Sequence, residues 1–280
     1  MLFGSSYIPT HTDNRMKSEG DLASARESFL ANRFSNLDYL LRSRYDWMNA
    51  HIRDYREREA AAPNVIEIGC GGGFSPLYID AKITLTDAIK NEWVDCVIDA
   101  TNMDMENESV DIMIASHTIH HFYNLVKFFN EAKRVLKPNG LILINEINTS
   151  VLMRALLKVM RHEGWNYNAD VFDINAKVNE PDDLWSANCA VSQLLFGDNK
   201  QTFENTFKTL TIVVDQPCEC FIFPLSGGVT AKTKVPRLSR PLLRAIDCLD
   251  RVLVGAFPKV FALGRRIVIK KTADLSEARL

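Results

Sequence analysis

Val65-Ile-Glu-Ile-Gly-Cys-Gly-Gly-Gly-Phe74 reads as a strand running into a tight turn. Val65, Ile66 and Ile68 are apolar and β-branched, with one acidic residue, Glu67, among them. Such side chains suit a pleated, buried surface. The run stops at glycines 69, 71, 72 and 73, and glycine serves where the backbone takes positive φ or approaches a ligand closely. A short helix, Phe74 to Asp80, is expected next. Open α/β sheets bind ligands outside the carboxyl ends of their strands, where such loops sit. A dinucleotide fingerprint fails on spacing, because G-x-G-x-x-G needs a small residue five places after its first glycine. Phe74 stands there counted from Gly69, and Pro76 counted from Gly71. What remains is E-x-G-x-G-x-G, formed by Glu67, Gly69, Gly71 and Gly73.

With 280 residues the chain is long enough for one large domain carrying a substantial insertion. A net charge of −2 gives no electrostatic ground for a nucleic-acid partner. The six cysteines are scattered, and Cys218-x-Cys220 lacks the second pair that zinc spacing needs, so no metal ligands are assigned. With no signal peptide, reduced thiols and a cytoplasmic location are the expectation. No apolar run approaches the ~20 residues of a membrane-spanning helix.

Outward from the glycine turn, residues 1 to about 20 read as a polar, irregular lead-in. Asn36 to Glu59 is helical, with Leu37, Leu40, Leu41, Tyr45, Met48 and Ile52 at three- and four-residue steps. Downstream, Lys82 to Asp87 alternates as a second strand. An acidic side chain at that strand end can accept both ribose hydroxyls of a nucleoside; the competing reading of Asp87 is a turn-starting residue. A two-turn crossover helix, Ala88 to Trp93, and a third strand, Val94 to Ile98, are expected before Asp99. Ser109 to Ala115 is apolar nearly throughout, as a central parallel strand should be. Ser116-His-Thr-Ile-His-His-Phe122 then crosses the carboxyl edge of the sheet. A helix from Leu125 to Leu136 stops at Lys137-Pro-Asn-Gly140, and Leu141 to Glu146 is a fifth strand. A helix, Val151 to His162, precedes irregular sequence. Thr209 to Asp215 and Arg265 to Lys271 are the last two strands. Between them a helix from about Pro241 to Phe257 places Leu242, Ile246, Leu249 and Leu253 on one face. Residues 232–271 hold eleven Lys or Arg against two Asp. Two readings stay open for residues 237–262: contact with an anionic membrane surface, or an amphipathic helix packed on the domain.

The motif at 67–73 and Arg134-Val-Leu-Lys-Pro-Asn-Gly140 together resemble the class I S-adenosylmethionine-dependent methyltransferases, of the methyltransferase-11 type, over residues 65–146. The resemblance implies a Rossmann-like α/β fold: a seven-stranded, mostly parallel sheet with one antiparallel strand, helices on both faces and a C-terminal insertion. It divides the chain into a helical lead-in (1–63), a cofactor-binding core (64–147), an acceptor-side segment (148–208), the last two strands with an inserted helix (209–271) and a tail (272–280). The cofactor it implies is S-adenosyl-L-methionine. Gly69, Cys70, Gly71 and Gly73 would pass under its methionine part and Glu67 would help hold its amino group. Asp87 and Ala88 would meet the ribose, Asp99 and Ala100 the adenine, and Ser116 and His117, at the carboxyl end of the central strand, would contact the cofactor where its methyl group sits. The short Asp87–Asp99 crossover departs from the family pattern around the adenine.

A sulfonium already activates the methyl group, so transfer is mostly positioning, but a hydroxyl acceptor also needs a base. Imidazole suits that role near neutral pH, which makes His120 and His121 the candidates, with Glu146 on the neighbouring strand. His162, Glu163 and Trp165 are further acceptor-side groups, an ordinary helix end being their plainer reading. No Asn-Pro-Pro-Tyr, Asp-Pro-Pro-Tyr or Pro-Cys motif follows the fourth strand, against amide, adenine and cytosine acceptors. Small-molecule, glycan or lipid-linked acceptors remain. Trp185, Asn188 and Ser226-Gly-Gly228 look similar to methyltransferases of surface-polysaccharide pathways. The competing function is a non-catalytic S-adenosylmethionine-binding partner protein.

Overall fold

The computed structural model describes residues 5–9, 19–33, 35–59, 61–160, 163–228 and 234–272. Its centre is a seven-stranded sheet: β1 Val65–Ile68, β2 Ile83–Asp87, β3 Cys96–Val97, β4 Val110–Ser116, β5 Leu136–Ile147, β6 Leu210–Cys218 and β7 Gly264–Lys271. The strand order is β3-β2-β1-β4-β5-β7-β6. β1 to β5 run parallel, and β7 lies antiparallel to both β5 and β6. The order reverses between β1 and β4, the switch point at which such sheets open a crevice.

Both faces of the sheet are covered, which is why its central strands read as unbroken apolar runs. Ile66, Ile68 and Met113 face a core completed by α3 (Leu125–Val135), where Phe129 meets Phe203 and Phe207. Val65, Ile112, Ile114, Leu141 and Leu143 face the opposite core, covered by Tyr45, Met48 and Ile52 of α2 (Ser35–Glu59). α3 is capped by Asn124, whose side-chain oxygen accepts from the Lys127 backbone N–H, and ends at Val135; Leu136 and the Lys137–Gly140 segment, expected as a helix end and a turn, already belong to β5.

Several expectations need correction. Ala88 to Trp93 forms no helix: the eight residues between β2 and β3 run as bends and a turn, and Trp93 folds back so that its Nε1 donates to the Gly71 carbonyl at 2.8 Å. The third strand shrinks to Cys96–Val97 at the sheet edge. The Phe74–Asp80 segment is a single 3-10 turn, Ser75–Leu77, with a proline at its start. The lead-in contains α1 (Glu19–Asn32), and Tyr7–Ile8 pairs antiparallel with Trp165–Asn166. Trp165 is therefore a core side chain, not an acceptor-side group; its Nε1 donates to the Ser5 carbonyl. The polar stretch after it holds α5 (Lys200–Thr206), which supplies Phe203 to the core. α4 is seen over Val151–Met160, and His162 lies outside the described residues.

After the short α6 (Ile222–Leu225) comes the inserted helix, α7 (Arg240–Ala256), which packs on the domain through a face other than the leucine face read from the sequence. Leu243, Asp250 and Val254 are its buried positions, while Leu242 and Leu249 face outward. Asp250 fixes that packing: its carboxylate accepts from the backbone N–H groups of Cys220, Phe221 and Ile222, each at 2.9 Å. No helix among the described residues is long and apolar enough to cross a membrane.

Candidate active site

A cavity of about 410 Å³ opens at the carboxyl edge of the sheet, within the range that holds small ligands. At one end it meets the glycine loop. Gly71 has φ +50° and open space where a Cβ would stand, so bare backbone faces the cavity there. Gly69 has φ +64°, and a Cβ on it would collide with Thr118. Gly73 does not face the cavity; Trp93 covers it. The sequence reading missed Arg26 of α1, which donates to the Gly72 carbonyl and to the Gly73 carbonyl at 2.8 Å, with its guanidinium over the Trp93 ring.

Glu67 is buried behind this loop, accepting from the Ser75 hydroxyl and, at 3.4 Å, from the Tyr45 hydroxyl. Burial outweighs these donors and raises its pKa to about 7. Burial also pushes the Cys70 thiol far up, so it is a neutral lining group. Asp87 ends β2 at the cavity wall. Its carboxylate accepts from Gly71 N at 2.9 Å and Ile89 N at 3.0 Å, which holds the glycine loop against the strand end. Those two bonds leave carboxylate lone pairs for further donors. Asp99 lines the cavity with Ala88, Ala100 and Ile98, its Oδ1 taking the Thr101 N–H and hydroxyl in a local turn.

At the other end lies the histidine loop. Ser116 and His117 line the cavity; His117 has φ +52° and its ring stacks on Phe223. A non-glycine residue held in that region marks a constrained site. Burial, then the nearby Arg44 charge, keeps His117 neutral. His120 is 2% exposed and Glu146 fully buried, with His120 Nδ1 2.6 Å from Glu146 Oε1. Burial alone would drive the proton off His120, but Glu146 and Glu163 outweigh it and raise its pKa to about 10. Burial and the His120 charge lower His121 to about 4. Glu146 reaches the cavity only through His120 and also accepts from the Ile147 N–H at 2.8 Å. Glu163 Oε2 stands 3.6 Å from His120 Nε2 and accepts from Cys189 Sγ at 3.2 Å. Trp185 and the Ser226–Gly228 turn line this end, whereas Asn188 is a buried brace bonded to Asn166.

The cradle fits S-adenosylmethionine: open backbone at Gly71, an acid at the β2 end, an apolar slot at Ile89, Ile98 and Ala100, and a buried carboxyl behind the loop. Sheet order, reversed last strand and cradle define a class I, S-adenosylmethionine-dependent methyltransferase fold. Comparison with known proteins points the same way, since a family model described as a methyltransferase domain matches residues 66–144. That stretch, a little over a quarter of the chain, is similar to a methyltransferase domain. It is 28% identical over 100 residues to the ubiquinone biosynthesis O-methyltransferase of Rickettsia prowazekii, covering 30% of this chain and 40% of that protein. It is 27% identical over 116 residues to a hybrid PKS-NRPS synthetase of Xenoacremonium sinensis, covering 37% of this chain and 3% of that protein. The chain thus spans less than half the length of either relative. A solved S-adenosylmethionine-dependent methyltransferase from Archaeoglobus fulgidus is similar over 83% of this chain and 99% of that one, at 16% identity and a TM-score of 0.43.

Proposed function

We propose that the protein is a methyltransferase that places the methyl group of S-adenosylmethionine on a hydroxyl of a sugar, glycan or other small hydroxylated acceptor. The observation that carries this reading is the buried His120–Glu146 pair opening into the cavity that the glycine loop closes at its other end. The cofactor brings a methyl group already activated by its sulfonium; the chain must orient the acceptor, keep water out and manage one proton. Asp87 anchors the ribose and Gly71 lets the backbone approach. His120 Nε2, its ring oriented by the Nδ1–H bond to Glu146, takes the hydroxyl proton, and Glu146 stabilises the resulting imidazolium. With its pKa raised to about 10, only a small fraction of His120 is neutral near pH 7, so turnover should rise with pH up to about 10. Such a pair has no use in a protein that only holds cofactor for a partner, which favours an enzyme over the non-catalytic alternative.

The test pairs the acceptor with His120→Asn and Glu146→Gln. Turnover should fall about 100-fold or more, the usual weight of a general base, while S-adenosylhomocysteine binding stays within about twofold. Undiminished turnover in both variants removes the base from this pair.

Leu242, Leu249, Val252 and Phe257 are exposed beside Arg244, Arg251 and Lys259. We propose that this face of residues 237–262 rests on an anionic membrane surface, which would bring a lipid-linked acceptor to the cavity. Co-sedimentation with phosphatidylserine vesicles should weaken on Val252→Asp and Phe257→Asp; equal recovery of parent and double variant rejects the contact.

A further inference from the structure

We propose that His120, His121 and Glu163 bind one divalent transition-metal ion of the zinc type at the acceptor end of the cavity. One ligand atom from each of the three lies within 4.8 Å of the other two. Two imidazoles and a carboxylate are a known catalytic zinc set, with the fourth position open to water or substrate. A tetrahedral sphere with bonds of 2.0–2.1 Å spaces its ligands about 3.3 Å apart. His120 Nε2 and Glu163 Oε2 already stand 3.6 Å apart, so side-chain rotations complete the sphere.

The partners behind the three groups set this cluster apart from a chance one. His120 Nδ1 is bonded to the Glu146 carboxylate at 2.6 Å, and His121 Nδ1 to the Ser186 carbonyl at 3.0 Å. Both partners only accept, so each ring carries its proton on Nδ1 when neutral, and Nε2 of each holds the lone pair a metal needs. Glu163 is oriented by the Cys189 thiol. Each ligand therefore has its own outer partner, the arrangement that fixes tautomer and ring direction in metal sites. His120 Nε2 is buried and faces Glu163 Oε2 at 3.6 Å, beyond hydrogen-bond length, a gap that an ion bound to both would bridge. All three residues line the cavity that also meets Gly71 and Asp87. The open position then faces the acceptor, where an ion would hold the acceptor oxygen and favour loss of its proton to solvent; His120 Nε2 is then a ligand, and its role as general base belongs to the ion-free protein. Binding rests on the ligand geometry alone; only this role rests on the methyltransferase reading.

The experiment is calorimetric titration of Zn²⁺ into chelator-stripped, full-length protein carrying C96S and C248S, which remove the two exposed thiols. One equivalent should bind. His121→Asn and Glu163→Gln should each weaken the affinity at least tenfold, and the double variant should bind no ion. Zn²⁺ should raise the melting temperature of the parent and not of the double variant, whose own melting transition without ion shows that it folds. Mg²⁺ in large excess should not displace Zn²⁺ from a site with two imidazole ligands. Absence of saturable binding, unchanged affinity in the double variant, or displacement by Mg²⁺ each overturns the proposal. S-adenosylhomocysteine binding by the same samples needs no ion, so failure here is distinguishable from failure of the methyltransferase reading.

Discussion

Glu67 is where burial and charge conflict most sharply in this chain. It is 2% exposed, and its pKa rises from 4.5 to about 7 because burial outweighs its hydroxyl donors. A carboxyl whose folded pKa lies above its unfolded one holds the proton more tightly in the native state. The stability from that proton is fully present below about pH 4.5 and is lost as pH rises through 7. A shift of this size corresponds to about 3 kcal/mol. The melting temperature of the parent should therefore fall more between pH 5 and pH 8 than that of Glu67→Gln; parallel curves would contradict the burial argument. A cationic group docked near Glu67 would favour its ionised form, so cofactor binding should strengthen as pH rises through the same window. Sequence alone marked Glu67, Asp87, His120, His121 and Glu146, because each closes a strand or sits in the loop at a strand's carboxyl end. It could not show that His120 and Glu146 touch, since 26 residues separate them and only strand register joins them. Arg26 and Cys189 carried no signal: each acts through tertiary contacts made by segments far from any motif.

At the scale of elements, α7 shows how a polar residue overrides an apolar pattern. The leucine spacing put Leu242, Ile246, Leu249 and Leu253 on one face, yet the helix packs on the domain through Leu243, Asp250 and Val254, and the three backbone donors to Asp250 lie between the end of β6 and the start of the short helix Ile222–Leu225. Satisfying a buried carboxylate outweighs exposing two leucines, because hydrogen bonds to charged groups contribute about 1.5–3 kcal/mol each and unpaired buried donors cost a similar amount. Asp250→Ala should lower unfolding stability by about 3 kcal/mol in urea titration, with Asp250→Asn intermediate. A loss below about 0.5 kcal/mol would show that the three N–H groups find other partners. The expected crossover helix failed for a related reason. Its few residues satisfy more by sending Trp93 back to the Gly71 carbonyl than by closing about two turns of helix, whose nucleation is costly.

For the whole molecule, the sheet was the most legible part. All seven strands were placed in order; β1, β4 and most of β5 are buried on both faces and keep their apolar character whatever packs on them, while the edge strand β3 is exposed and was placed too long. The segments between β5 and β7 were less legible: their helices and the Trp165 pairing depend on contacts across the fold. The architecture joins two chemistries in one cavity, with backbone and acids at the glycine-loop end and imidazoles and carboxylates at the other. The central claim is that the first of these holds S-adenosylmethionine. Isothermal calorimetry of S-adenosylhomocysteine against parent and Asp87→Ala protein tests it most directly, with NADH as the control. The account predicts one equivalent bound by the parent, a loss of at least tenfold in affinity for Asp87→Ala, and no heat from NADH. Binding of NADH in place of S-adenosylhomocysteine, or equal affinity in parent and variant, would contradict it.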